Sequence, residues 1–101
     1  MFVLITFQPD TPETHQKVAA IAAGRKKYRL KGSAYIVKPT GKEDARRLQA
    51  KLEAYHAADN GFDYNWFRIN PHHMKYFPDK PEQRPEYDDF NTYQDILKED
   101  N

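Results

Sequence analysis

No cysteine occurs among the 101 residues, so neither a disulfide framework nor a thiolate metal centre or nucleophile is open to this chain. Glycine is scarce as well: the four present form no phosphate-cradling loop, and no paired-carboxylate motif or nucleophile with a base at a motif spacing accompanies them. Long apolar runs are missing. The most apolar stretch, Phe2 to Phe7, falls far short of the ~20 residues that a membrane-crossing helix takes, and nothing at Met1 has the pattern of a signal peptide. A soluble, cytoplasmic protein with no membrane partner is the expectation. Mean hydropathy is -1.00 and hydrophobic residues make up 39% of the chain, so burial has to be concentrated in part of it or completed by a partner.

What the chain does have is aromatic side chains, 14% of its residues, which give the most burial per residue that a small protein can obtain. Its length is that of one domain with a modest core. The net charge of +1 hides an asymmetry: residues 1–76 carry thirteen Lys and Arg against seven Asp and Glu, and residues 77–101 carry three against eight. A basic body therefore bears an acidic tail. Such a body attracts phosphate, and such a tail screens it, competes for it or contacts another subunit; solvated faces of both signs are the plainer alternative.

The stretch from Ser33 to Asn70 organises the rest. Ser33 to Lys38 reads as a strand, Thr40 to Asn60 as a helix and Phe62 to Asn70 as a second strand. Thr40-Gly41-Lys42-Glu43 has the spacing of a capping box, Ala45, Leu48, Leu52 and Tyr55 recur at intervals of three and four to make an apolar stripe, and Asn60-Gly61 supplies a stop. After Phe62 the period becomes two, with Tyr64, Trp66 and Arg68 on one side and Asn65, Phe67 and Ile69 on the other. Upstream, Phe2 to Phe7 has the uniform apolarity of a central strand covered on both faces. Thr11 caps a helix that begins at Pro12 and buries Val18, Ile21 and Ala22 before Gly24. Arg25 to Lys38 is either a hairpin turning at Lys31-Gly32, the reading preferred here, or one strand bulged at Gly32. The order strand, helix, strand, strand, helix, strand predicts an α+β, ferredoxin-like βαββαβ sandwich over residues 1–70: a four-stranded antiparallel sheet with both helices on one face. Residues 71–101 hold four prolines and many large apolar side chains, which predicts an extended acidic arm docked on its own body or on a second subunit, with a short helix over 92–98.

Three places invite chemistry. If Phe67 and Ile69 face the helices, Tyr64, Trp66 and Arg68 face away, near Lys26, Lys27, Arg29 and Lys31, and such a mixture on an open sheet stacks bases and neutralises phosphates. The alternative use of the same surface is a dimer with open faces packed together. Asp10, just past the first strand, is the single candidate for a catalytic carboxylate and Mg²⁺ ligand, needing help from elsewhere; its plainer reading is a turn residue. His72-His73, with His15 and His56 elsewhere, lacks metal-ligand spacing, because neighbours on an extended segment point opposite ways. No motif specifies a cofactor, and Mg²⁺ is the one that Asp10 suggests.

Phe2-Val-Leu-Ile-Thr-Phe7, Gly32-Ser-Ala-Tyr-Ile-Val-Lys-Pro-Thr40 with its Ala-Arg-Arg-Leu helix, and Asp63-Tyr-Asn-Trp-Phe-Arg-Ile69 together resemble the small CRISPR-associated ferredoxin-like nucleases and their SinR-like, VapD-like and GhoS-like relatives, over residues 1–70. The resemblance implies a homodimer with sheets face to face, a C-terminal segment that joins the partner's sheet, and work around RNA, toxin-antitoxin pairs or defence complexes. In many members a catalytic Asp ends the first strand directly after an aromatic residue. Here Gln8 and Pro9 follow Phe7, and Asp10 comes late. The expectations are thus an RNA-associated homodimer, a Mg²⁺-dependent endoribonuclease if it is an enzyme at all, or a non-catalytic module that binds a protein as an antitoxin or mobile-element inhibitor does.

Overall fold

The structure is a computed structural model and describes residues 1–30, 32–58 and 61–70. The elements run β1 (Phe2–Gln8), α1 (Pro12–Ile21), β2 (Lys26–Leu30), β3 (Ala34–Lys38), α2 (Lys42–Ala57) and β4 (Asp63–Ile69). They form one antiparallel sheet in the order β2-β3-β1-β4, which is the expected ferredoxin-like α+β arrangement of two interleaved crossover units. The predicted arm over 71–101 and its helix over 92–98 lie outside the described residues, as do Lys31 and Asn60.

Local signals decide where the elements begin and end. Thr11 caps α1 by accepting from the Thr14 backbone N–H at 3.3 Å, with Pro12 in the first turn where its missing N–H costs nothing. Gly32 at φ +80° turns the hairpin, and Gly61 at φ +73° turns the chain from α2 into β4. The predicted capping box at Thr40 is not how α2 starts. Gly41 is its N-cap and makes no side-chain bond. Asp44 reaches back instead, its carboxylate accepting from the Thr40 N–H at 2.9 Å, so the reciprocal bond is displaced by one residue.

The core lies between the sheet and the two helices. Val3, Ile5 and Phe7 of β1 and Tyr35 and Val37 of β3 meet Val18 and Ala22 from the α1 side and Leu48 and Leu52 of α2, with Phe62 closing one end. The opposite face is apolar too. Buried Tyr28 and Ile36 sit there among the partly buried Phe2, Leu4, Leu30 and Ile69, so β1 presents apolar side chains to both faces.

The phase of β4 is the reverse of the expectation. Ile5 pairs with Trp66 and Phe7 with Tyr64, and directly opposed residues share a face. Tyr64 and Trp66 therefore pack against the helix-side core, whereas Phe67, opposite Leu4, and Ile69, opposite Phe2, lie on the helix-free face. Phe62 is the physical cause. It shares parity with Tyr64 and Trp66, is buried in the core, and stacks on Tyr55 at 4.2 Å and on Tyr64 at 5.9 Å.

Arg25 joins the two crossover units. Its guanidinium donates to both Asp44 oxygens at 2.8 and 2.7 Å and to the carbonyls of Ile21 and Ala23 at the end of α1, so one side chain ties the last turn of α1 to the first turn of α2. The Arg25 bonds, ahead of the Thr40 N–H, hold the Asp44 carboxyl down at about 2 despite the opposing effect of burial. A carboxyl lowered on folding stabilises the protein above its unfolded value, near 3.8, and loses that contribution as pH falls toward 2. Asp44→Asn should lower stability by roughly 1–3 kcal/mol at pH 7. Chemical denaturation from pH 7 to pH 2 should show the gap between the two proteins closing below about pH 4; a gap that stays constant into acid would contradict this role.

Candidate functional site

A polar column runs from the surface into the core where β1 hands over to α1. Asp10 lies in the link after β1, His15 lies one turn into α1, and Tyr35 stands on β3 opposite Ile5. The His15 Nε2 is 2.5 Å from Asp10 Oδ1, and Nδ1 is 2.5 Å from the Tyr35 hydroxyl. A carboxylate only accepts, so the Nε2–H donates to Asp10, and Nδ1 pairs with the Tyr35 hydroxyl. His15 and Tyr35 are fully buried, while the Asp10 side chain is 52% exposed. Phe7 fixes both rings edge-on, at 5.0 Å from His15 and 4.9 Å from Tyr35.

The local sequence explains the geometry. The Thr11 cap sets the first turn of α1, which points residue 15 inward and leaves residue 10 beside it at the water boundary. Chemically, phenol, imidazole and carboxylate make a chain of hydrogen bonds from the core to solvent. With both ring nitrogens engaged, His15 ligates nothing without losing a bond. Asp10 fits a Mg²⁺ site poorly for the same reason, since one of its oxygens already receives His15, and among the described residues no group of three or more His, Cys, Asp or Glu gathers in ligating positions.

The residues expected to form a stacking and phosphate-binding surface are not brought together. Lys27 and Arg29, opposite Val37 and Tyr35, share the helix-side face with Tyr64, Trp66 and Arg68 but stand on β2, at the other edge of the sheet, with β3 and β1 between. Both are buried, at 2% and 3% exposure. Lys31 lies outside the described residues. Arg68 is exposed, and Tyr64 and Trp66 are half-buried at the margin of the helical layer.

That margin has polar contacts of its own. The Tyr64 hydroxyl donates to Glu53, and burial together with the Glu53 charge pushes the phenol up. His56 Nδ1 donates to the Phe62 carbonyl at 2.8 Å. Between the helices a shallow hollow of about 460 Å³ is lined by Lys17, Ile21, Lys51, Ala54, Tyr55 and Ala58, with the Lys17 ammonium 5.6 Å above the Tyr55 ring. Sequence reasoning reaches Asp10 but misses its partners. The signal that could have found His15 is its place one turn beyond a capped helix start, five residues from Asp10; nothing local marks Tyr35.

No family model, curated protein or solved structure matches this chain.

Tyr35→Phe removes the hydroxyl and leaves the buried imidazole one bond short, which should cost roughly 1–3 kcal/mol. Asp10→Asn, at the wet end, should cost less. Equilibrium denaturation of the two variants checks that ordering, and an Asp10 variant more damaged than Tyr35→Phe would contradict it.

Proposed function

We propose that this protein is a non-catalytic binding module, a homodimer that presents its surface to a protein partner in the manner of an antitoxin or an inhibitor of a defence complex. The observation that carries the reading is Phe67. It is 49% exposed on β4, the outermost strand, which pairs with β1 alone among the described residues. Among the described residues this strand has no second neighbour, and such an edge beside a large exposed ring is a template for a further strand. A second copy docking its own β4 there would extend the sheet across a two-fold axis and cover both Phe67 rings. Support for binding over reaction comes from the internal use of the chemically able groups: Asp10 is held by a buried His15, and Lys27 and Arg29 are enclosed.

Association with RNA is the second reading, favoured by one feature. Lys17 and Lys51 flank the Tyr55 ring in the hollow between the helices, and Arg46 and Arg47 are exposed on α2, an array able to take phosphates.

Light scattering on the full chain, with Phe67→Asp alongside, tests the first reading. The native protein should be a dimer and the variant a monomer with unchanged circular dichroism; a native monomer across the accessible concentration range would sink it. Incubation with single-stranded RNA and Mg²⁺ should give no cleavage, and cleavage abolished in Asp10→Ala would establish the nuclease instead. Any RNA binding through the helices should weaken steeply with salt and fall at least tenfold in the double substitution Lys17→Glu, Lys51→Glu.

A further inference from the structure

The groove between α1 and α2 is bordered by side chains too small to fill it. α1 offers Lys17 and Ile21, one turn apart, and α2 offers Lys51, Ala54, Tyr55 and Ala58, at spacings of three and four that place them on one helix face. Ala54 and Ala58 stand where longer side chains would close the gap. A hollow of about 460 Å³ remains, inside the ~300–1,000 Å³ range of ligand sites. Its floor is apolar, with Ile21 and Tyr55 half-buried, and its rim is cationic, with exposed Lys17 on one helix and exposed Lys51 on the other.

The two charges have no anion close by. Among the described residues neither ammonium forms an ion pair with a carboxylate, whereas Arg25 pairs with Asp44 and Arg46 with Glu43, and no acid lines the hollow. Tyr55 decides which anion fits. Phe62 stacks on its ring at 4.2 Å and the Lys17 ammonium stands 5.6 Å above it, which leaves no bare face for a nucleobase, and single-stranded nucleic acids draw much of their affinity from such faces. Two separated cations over an apolar floor suit carboxylates on either side of an apolar side chain.

We propose that the hollow between the helices docks an acidic segment of a protein partner, with one large apolar side chain seated over Ile21, Ala54 and Ala58 and flanking Asp or Glu carboxylates on Lys17 and Lys51. The inference rests on the reading of this protein as a protein-binding module and supplies the surface on which that partner sits. It does not need the β4 dimer, which uses a different element. The apolar anchor sets most of the affinity, because exposed ion pairs contribute little by themselves and mainly orient a partner and speed its approach. Salt therefore weakens the complex without removing its preference for the anchor.

A magnetic-resonance titration of the full, uniformly isotope-labelled chain at low salt tests this, with the synthetic peptide acetyl-Glu-Asp-Leu-Glu-Asp-amide as the probe. Saturable shifts should appear at the amides of Lys17, Ile21, Lys51, Ala54, Tyr55 and Ala58. Replacing the peptide's Leu by Ala, or its four acids by Gln and Asn, should each weaken binding by about fivefold or more. The same loss is expected for Lys17→Glu combined with Lys51→Glu in a chain whose circular dichroism is unchanged. No saturable shift at these amides would overturn the proposal, as would an Ala peptide that binds the native chain as tightly as the Leu peptide. Oligouridine that shifts the same amides at a lower concentration than the peptide would assign the hollow to RNA and overturn it too. Phe67→Asp, which removes the proposed dimer, should bind the peptide as the native chain does, so the dimer and the hollow can fail separately; loss of the peptide in that variant would overturn the hollow as a site complete within one chain.

Discussion

The pairing of β1 with β4 sets Ile5 against Trp66 and Phe7 against Tyr64, and the use of every side chain on the outer strand follows from that register. A slip of one residue would turn Tyr64 and Trp66 to the helix-free face and Phe67 and Ile69 inward. The competition is close in sequence, since both alternating sets contain large rings. It is decided by Phe62, whose burial against Tyr55 and Phe7 anchors the parity before the strand begins.

That register has a consequence for function. With Tyr64 and Trp66 engaged against the helical layer, they form no open aromatic stacking platform, and the proposed association rests on the β4 edge and Phe67. Lys27 and Arg29 are withdrawn as well, enclosed at the opposite edge of the sheet. Among the described residues, exposed basic side chains lie on the helices, around Tyr55 and along α2, and at Arg68 on β4. The proposed association through β4 and the proposed contact with phosphate through the helices would thus use different sides of the molecule and not compete for the same residues.

Two polar ties hold the scaffold in a single arrangement. Arg25 links the end of α1 to the start of α2 through Asp44, and His15 links the Asp10 turn to Tyr35 in the middle of the sheet. Each spans both crossover units, and the Arg25–Asp44 and His15–Tyr35 bonds are largely removed from water, where a hydrogen bond is directional and its loss is costly. The His15 column also holds in place the one carboxylate that a nuclease reading needs, in a role where it receives a buried donor.

Local rules sufficed for much of this. The alternation of strands and helices, the Thr11 cap with Pro12, the hairpin turning at Gly32 and the Leu48 and Leu52 stripe are written in short-range patterns, because caps, turns and periodicity depend on neighbours a few residues away. Asp10 was visible as a polar residue following an apolar strand. Its bond to His15 and the continuation to Tyr35, twenty residues further along, depend on how α1 lies over the sheet. The displaced cap of α2 has the same kind of origin, since Asp44 is positioned by Arg25 as much as by its own helix. The phase of β4 and the burial of Lys27 and Arg29 were likewise beyond local pattern: period two leaves two phases of similar hydrophobicity, and a charged residue on a strand reads as exposed until its surroundings are known. The sequence by itself determined the elements and their order; the tertiary structure decided which face each side chain serves, because that choice is made by contacts between residues far apart in the chain.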